Sequence, residues 1–174
     1  MRLPSLFDLD VDLELVNFFN QKLDQYKNND KYWIDIDKSC TFKGIQSSNL
    51  LEFDDESLHN NLNSIKTKFE NLFEVGFEYH WVHLIEYEPG GYQKIHSHDH
   101  NEDFSFVLYL NDCVDGHTVF MLNEKRNIAA EVKPTFGKSV IFLSSIKHFA
   151  KTCTETKRVL VCGLKLRPLP DPNS

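Results

Sequence analysis

Three histidines lie within five residues of this sequence, at positions 96, 98 and 100. His96 and His98 follow a Gly-Gly turn, and in an extended strand side chains two residues apart project from the same face. Two imidazoles on one face suit a divalent first-row metal ion. A third ligand must then come from a distant part of the chain, and His148, after a short apolar run, is the candidate. The alternative is a polar surface loop that binds nothing.

The segments around these histidines contain six short motifs in a fixed order. The first, in residues 87–98, consists of a tyrosine, a glycine turn and the histidines. The next three are residues 106–111, 116–120 and 133–142, and the last two are His148 and Arg158. Residues 109–111 read Tyr-Leu-Asn, residues 116–120 read Gly-x-Thr-x-Phe, and residues 134–142 read Pro-x-x-Gly-x-x-x-x-Phe. Over about residues 87–166 this order resembles the prolyl-4-hydroxylase-like dioxygenases that depend on 2-oxoglutarate and iron(II).

The resemblance implies a fold that is mainly β with some α: a double-stranded β-helix, or jelly-roll (cupin-like) barrel, with supporting amino-terminal helices. It implies Fe(II), O₂ and 2-oxoglutarate as cosubstrate. It also implies that a second substrate, a small molecule or a protein, is hydroxylated while 2-oxoglutarate is oxidatively decarboxylated to succinate. By the same resemblance His148 is the distal iron ligand.

Cosubstrate contacts also follow from the resemblance. It assigns Arg158 to the far carboxylate of 2-oxoglutarate, since a guanidinium can make a two-pronged salt link. Lys157 is the competing cation, and strand alternation separates the two: if Arg158 faces inward with Leu160 and Cys162, Lys157 faces outward. Tyr87 and Tyr109 match positions of cosubstrate-contacting tyrosines.

One departure from the family pattern leaves three ligand sets open, because the expected carboxylate position falls on His98. The site uses three histidines, or Asp99 supplies a carboxylate through a local bulge, or the pair shifts to His100 and Glu102. Two rival functions remain beside the 2-oxoglutarate-dependent one. They are a three-histidine cupin-type dioxygenase that needs no 2-oxoglutarate, and a non-catalytic barrel that binds a metal or ligand.

Composition limits the remaining possibilities. The 174 residues are 41% hydrophobic and carry a formal charge of −7, which predicts one globular domain (1–174) and disfavours nucleic-acid binding. No apolar stretch approaches the roughly 20 residues of a membrane helix, and no signal peptide is visible. Four widely spaced cysteines predict reduced thiols and a cytoplasmic location. Substrate identity and oligomeric state are not indicated.

The elements that position these residues divide near residue 75. Residues 1–75 are predicted to form a helix-rich supporting part, with helical periods in 13–26 and 58–72 and Gly76 ending the second helix. Residues 76–167 are predicted to form the jelly-roll core, and 168–174 a loose tail. Predicted strands cover 77–87, 92–98, 104–110, 117–122, 128–132, 139–142 and 159–166, with a turn at 89–91.

Overall fold

The computed structural model describes residues 6–35, 39–98, 101–121 and 128–168. Two helices, α1 (Leu13–Tyr26) and α2 (Glu56–Phe73), precede most of the strands. The strands are β1 (Thr41–Gln46), β2 (Gly76–His96), β3 (Phe104–Tyr109), β4 (Thr118–Met121), β5 (Ile128–Val132), β6 (Ser139–Leu143), β7 (His148–Ala150) and β8 (Lys157–Arg167). None of the helices in these ranges is long and apolar enough to cross a membrane.

Both helices form where the apolar period predicts them. α1 buries one face that includes Phe19 and Leu23, and α2 begins at Asp55, whose carboxylate accepts a hydrogen bond from the Leu58 amide. The prediction that Gly76 ends α2 is wrong. The helix ends at Phe73 because Glu74 adopts the left-handed conformation (φ 54°), and Gly76 already belongs to β2.

A single antiparallel sheet, curled on itself, carries the described strands in the order β5-β4-β7-β2-β8-β3-β6, with β1 paired to β2. The first half of β2 pairs with β8 and its end pairs with β7. The predicted turn at 89–91 is wrong, since β2 runs through it. Gly91 permits this, because a Cβ there would lie 2.4 Å from the Lys43 carbonyl oxygen of the β1 strand beside it.

The sheet buries both of its faces. One face packs with α1 and α2 in a core that includes Phe19, Leu160 and Cys162, and the other encloses a second core that includes Phe142 and Val159. The curled antiparallel sheet backed by two helices confirms the predicted jelly-roll class. Alternate residues of β8 therefore face two different buried environments.

Candidate metal centre and cosubstrate pocket

The sheet brings the three predicted ligands together. His96, at the end of β2, is the direct partner of His148, the first residue of β7. His98 follows two residues later, and its backbone amide donates a 2.8 Å hydrogen bond to the Ser144 carbonyl. One ring nitrogen from each histidine lies within 4.8 Å of the others, which is close enough for a single ion to contact all three.

Backbone acceptors fix which nitrogen of each ring is available. The Nδ1 atom of His96 lies 2.7 Å from the Lys94 carbonyl oxygen, and Nδ1 of His148 lies 2.9 Å from the Ile146 carbonyl oxygen. When Nδ1 carries the proton and donates to these carbonyls, the Nε2 lone pair is left for a metal. Both histidines thus have the outer hydrogen bond typical of a metal ligand.

Burial favours the neutral state that metal binding requires in His96 and His148. Burial and the neighbouring imidazole of His96 lower the pKa of His148 well below its ordinary value. Burial also lowers the pKa of His96. A metal ion binds the neutral imidazole, so at neutral pH no proton competes with the ion for the free ring nitrogen of these residues. The donor set fits a divalent first-row ion such as Fe²⁺.

Of the alternative ligands, Asp99 and His100 lie outside the described residues. Glu102 is described, and it does not join the cluster. Its Oε1 atom lies 3.6 Å from Nδ1 of His98, and Glu102 is not among the residues whose ligand atoms converge. Among the described residues, the only group of histidines, cysteines and acids placed to hold one ion is therefore His96, His98 and His148.

A cavity of about 250 Å³ opens beside the three histidines. Apolar side chains of the curled sheet, such as Val159, Val161 and Phe142, form much of its wall. Its polar lining consists of the three histidines, Cys40, Gln46, Trp81, His83, Tyr87, Gln93, Ser105, Thr118 and Lys157. A mostly apolar cavity with a few converging polar groups is the usual form of a small-molecule site.

Lys157 places a cation inside this cavity. Only 1% of the residue is exposed, and Nζ donates a 2.9 Å hydrogen bond to the Gly116 carbonyl and lies 4.2 Å from the centre of the Tyr87 ring. Burial lowers its pKa from 10.5 to about 8. Within the described ranges no carboxylate lies within 4.0 Å of Nζ. An anionic ligand would supply the missing countercharge.

Arg158, the predicted cosubstrate residue, does not face the cavity. Its guanidinium lies on the helix side of β8, with Nε 2.8 Å from a Glu86 carboxylate oxygen and an Nη atom 2.8 Å from Asp24 of α1. The expected orientation is wrong because Leu160 and Cys162, which do face inward, face the helical core rather than the cavity. Lys157, the competing residue, is the one in the cavity.

The two predicted tyrosines occupy different layers. Tyr87 lines the cavity beneath Lys157. Tyr109 is buried one layer behind the wall, where its hydroxyl donates a 2.6 Å hydrogen bond to the Thr118 Oγ1 atom. Burial raises the pKa of both phenols far above the ordinary value, so both stay protonated. Tyr109 can thus act on the cavity only through Thr118.

The matching family model is that of the 2OG-Fe(II) oxygenase superfamily, and it covers residues 82–163. Over these residues the chain is similar to members of that superfamily. These residues include His96, His98, His148 and Lys157, so most of the cavity lining lies within the matched segment. The family consists of oxygenases, which confirms the predicted enzyme class, and its members generally use Fe(II), 2-oxoglutarate and O₂. No curated protein matches the chain.

Solved structures show the same fold at low sequence identity. A prolyl-4-hydroxylase from Pseudomonas putida superposes with a TM-score of 0.67 at 16% identity, covering 96% of this chain and 94% of that one. The collagen prolyl hydroxylase of Paramecium Bursaria Chlorella virus-1, in a 2-oxoglutarate complex, gives 0.67 at 13%, covering 94% and 96%. A Trichoplax adhaerens prolyl hydroxylase, bound to a fragment of hypoxia inducible factor, gives 0.68 at 12%, covering 94% and 83%.

Several residues of this oxygenase site are absent from the sequence prediction. Cys40 and Gln46 enter the cavity from β1, which is far from the motifs in the chain. Thr118 was an available signal, since it is the threonine of the Gly-x-Thr-x-Phe motif, but a threonine in a buried strand is typical of packing as well. Trp81 lines the cavity beside His98 and was visible only as one aromatic residue in a β-rich strand.

Proposed function

We propose that this chain is an iron(II)-dependent dioxygenase that uses 2-oxoglutarate as cosubstrate and hydroxylates a second substrate, as prolyl-4-hydroxylase-like enzymes do. One observation carries the proposal: three converging histidines line the same cavity of about 250 Å³ as a buried lysine that has no carboxylate partner among the described residues. The histidines suit the metal, and the lysine suits the anionic end of a dicarboxylate.

Fe(II) would be held by the Nε2 atoms of His96, His98 and His148. The Nδ1 contacts of His96 and His148 with carbonyls two residues earlier in the chain keep these rings oriented before metal arrives. Three protein ligands leave up to three positions of an octahedral ion for the keto acid and O₂. A preformed triad lowers the ordering cost of binding.

Lys157 would bind the far carboxylate of 2-oxoglutarate. Its Nζ atom is fixed by the Gly116 carbonyl and the Tyr87 ring, and the remaining donor capacity of the ammonium is available to an anion. The hydroxyl of Thr118, which accepts from Tyr109, lines the same cavity and can donate its own proton to the carboxylate. A dicarboxylate long enough to reach from the histidines to Lys157 would be selected by length as well as by charge.

The bound iron would supply O₂ activation coupled to oxidation of 2-oxoglutarate. In the overall balance, one oxygen atom of O₂ enters succinate as CO₂ leaves 2-oxoglutarate, and the other enters a C–H bond of the second substrate. The protein's part is to orient the cosubstrate through Lys157 and to exclude bulk water with the apolar wall that includes Val159 and Val161.

A three-histidine dioxygenase that needs no 2-oxoglutarate is the second candidate function. The three-imidazole donor set favours it, because no carboxylate joins the cluster within the described part of the chain. The position of Lys157 favours the first candidate. A buried ammonium in the cavity that the histidines line is costly without an anion to pair with, and 2-oxoglutarate supplies one.

An anaerobic spectroscopic experiment separates these candidates. Fe(II) and then 2-oxoglutarate are added to the pure protein without oxygen, and the visible spectrum is followed. The proposal predicts a metal-to-ligand charge-transfer band that saturates with 2-oxoglutarate, and succinate formation once O₂ is admitted. Iron binding without this band would favour the second candidate. The absence of iron binding would favour the non-catalytic barrel.

A further inference from the structure

A buried carboxylate lies directly behind one of the three histidines. The Glu102 side chain is only 7% exposed, and its Oε1 atom lies 3.6 Å from Nδ1 of His98. The same oxygen accepts a 3.1 Å hydrogen bond from the Trp81 indole, and Oε2 lies 3.9 Å from Nε2 of His80. A buried carboxylate that faces two imidazoles and an indole N–H is placed by the fold rather than left in solvent.

The indole that holds this carboxylate is itself positioned by a glycine. Trp81 of β2 is the direct partner of Gly163 of β8, and a Cβ at position 163 would lie 2.5 Å from the Trp81 Nε1 atom. The indole therefore lies across Gly163, where no other residue type leaves room. Its N–H points toward Glu102, and its ring lies 5.0 Å from the His98 ring. Gly163, Trp81, Glu102 and His98 thus form one packed series.

The three histidines differ in what lies behind them. Nδ1 of His96 and Nδ1 of His148 face neutral backbone carbonyls, whereas Nδ1 of His98 faces a carboxylate. With three neutral imidazoles as its protein ligands, a divalent ion would have no negatively charged protein ligand to offset its two positive charges. A carboxylate beside the outer nitrogen of a ligating histidine can orient the ring and increase the basicity of its other nitrogen. At 3.6 Å, Glu102 is a charge contact of His98 rather than a hydrogen-bond acceptor.

We propose that Glu102 is a positioning residue for the metal: it holds His98 with Nε2 directed at the ion and supplies, through the imidazole, the negative charge that the three-histidine donor set lacks. This inference rests on the proposed metal site. It assigns Glu102 a role that differs from direct ligation, since Glu102 lies beside Nδ1 of His98 and is not among the residues whose ligand atoms converge.

Glu102→Gln is the direct test, because glutamine has the same shape, keeps an oxygen that can accept from Trp81, and removes the charge. Anaerobic Fe(II) titration should show a Kd about 10–100-fold higher than that of the wild type. Glu102→Asp, which keeps the charge on a shorter side chain, should recover part of that loss. Trp81→Phe removes the indole N–H that holds this carboxylate but keeps its charge, and it should weaken Fe(II) binding less than Glu102→Gln does. Equal Fe(II) affinity in wild type and Glu102→Gln would overturn the inference.

A double-mutant cycle then distinguishes action through His98 from a general effect of charge. In His98→Asp the ligand carries its own negative charge, so adding Glu102→Gln should no longer weaken Fe(II) binding. An undiminished loss in that background would show that Glu102 does not act through His98 and would overturn the inference. Wild-type protein that binds no Fe(II) would refute the metal site and Glu102's role together, whereas wild-type binding that Glu102→Gln leaves unchanged refutes only the latter.

Discussion

Lys157 and Arg158 are adjacent residues of β8 whose cationic groups lie on opposite faces of the sheet. The Lys157 ammonium donates to the Gly116 carbonyl inside the cavity, and the Arg158 guanidinium pairs with Glu86 and Asp24 on the helix side. Substitutions at these two positions therefore form a matched pair. Each removes one cation from the same strand, one in the cavity and the other on the helix side of the sheet.

Replacing Lys157 with methionine should weaken 2-oxoglutarate binding while leaving Fe(II) binding intact. Removing one partner of a buried charge pair costs about 2–5 kcal/mol, which corresponds to a Kd at least about 30-fold higher. Isothermal titration of 2-oxoglutarate into the metal-loaded protein, without oxygen, measures this.

Arg158→Ala is the control, and it should leave the 2-oxoglutarate Kd unchanged. Its effect should appear in the free energy of unfolding, which we expect to fall by about 2 kcal/mol because the buried Glu86 carboxylate loses a charged hydrogen bond. A large loss of 2-oxoglutarate affinity in Arg158→Ala would reverse the assignment of the two cations.

Binding of 2-oxoglutarate should depend on pH through Lys157. Burial lowers the pKa of this ammonium to about 8 in the free protein, so above that pH the lysine loses its charge. The 2-oxoglutarate Kd should then rise, by about tenfold per pH unit once the lysine is largely neutral. Isothermal titration between pH 7 and 9.5 measures the slope, and the slope should vanish in Lys157→Met.

The neighbours of Lys157 do not produce the same pH profile. Burial raises the pKa of the Cys113 and Cys153 thiols above their ordinary value of 9.0, and hydrogen bonds from Thr154 lower the pKa of Asp115, which is already ionised at neutral pH. Without ligand, the contribution of Lys157 to the free energy of unfolding should rise between about pH 8 and 10.5, because the unfolded chain there binds a proton that folded Lys157 has released. The buried thiols act in the opposite direction above about pH 9, so this contribution is measured as the difference between the wild type and Lys157→Met. A 2-oxoglutarate Kd that stays flat to pH 9.5 in the wild type would contradict this account.

His148→Ala should abolish stoichiometric Fe(II) binding and leave the fold in place. The imidazole provides one of three ligands, whereas the packing around it is dominated by Phe120 and Phe142. Metal content after anaerobic loading, together with a far-ultraviolet circular dichroism spectrum, measures both effects. His117→Ala is the control, because His117 lies partly exposed beside Glu131 and outside the cavity lining. Unchanged iron content in His148→Ala would remove this residue from the ligand set.

Tyr109→Phe should have a smaller effect on cosubstrate binding than Lys157→Met. The change removes the hydroxyl that donates to Thr118 Oγ1, so the free energy of unfolding should fall by about 1 kcal/mol. Because Tyr109 lies behind the cavity wall, its effect on the 2-oxoglutarate Kd is indirect, through the orientation of the Thr118 hydroxyl. A loss as large as that in Lys157→Met would show that the phenol contacts the cosubstrate itself.

Part of the proposed ligand set was predictable from the sequence, because the placement of His96 and His98 on one face is local, whereas His148 came from the order of the motifs along the chain. Two histidines at i and i+2 of a strand share a face whatever the tertiary structure, and His148 stands at the expected distance along an ordered set of motifs. The choice among His98, Asp99 and the shifted pair was not predictable. It depends on the backbone beyond the end of β2, where Ser144 fixes the amide of His98.

The cation in the cavity was not predictable from alternation. Residues 159–162 of β8 are apolar on both faces because one face packs on the helices and the other lines the cavity. A strand buried on both sides carries no polarity signal, so the inward direction of Leu160 and Cys162 does not tell which core they enter. The supporting role proposed for Glu102 was not predictable either. It depends on a contact with Trp81, and the two residues lie in segments that share no sequence motif.

One cavity is proposed to hold both the metal and the cosubstrate. The most direct measurement is a crystal structure of the protein prepared without oxygen in the presence of Fe(II) and 2-oxoglutarate, with anomalous diffraction recorded at the iron edge. The account predicts an anomalous peak about 2.0–2.2 Å from the Nε2 atoms of His96, His98 and His148. It also predicts a 2-oxoglutarate carboxylate within hydrogen-bond distance of the Lys157 Nζ atom. A metal bound elsewhere, or a cosubstrate carboxylate at Arg158, would contradict it.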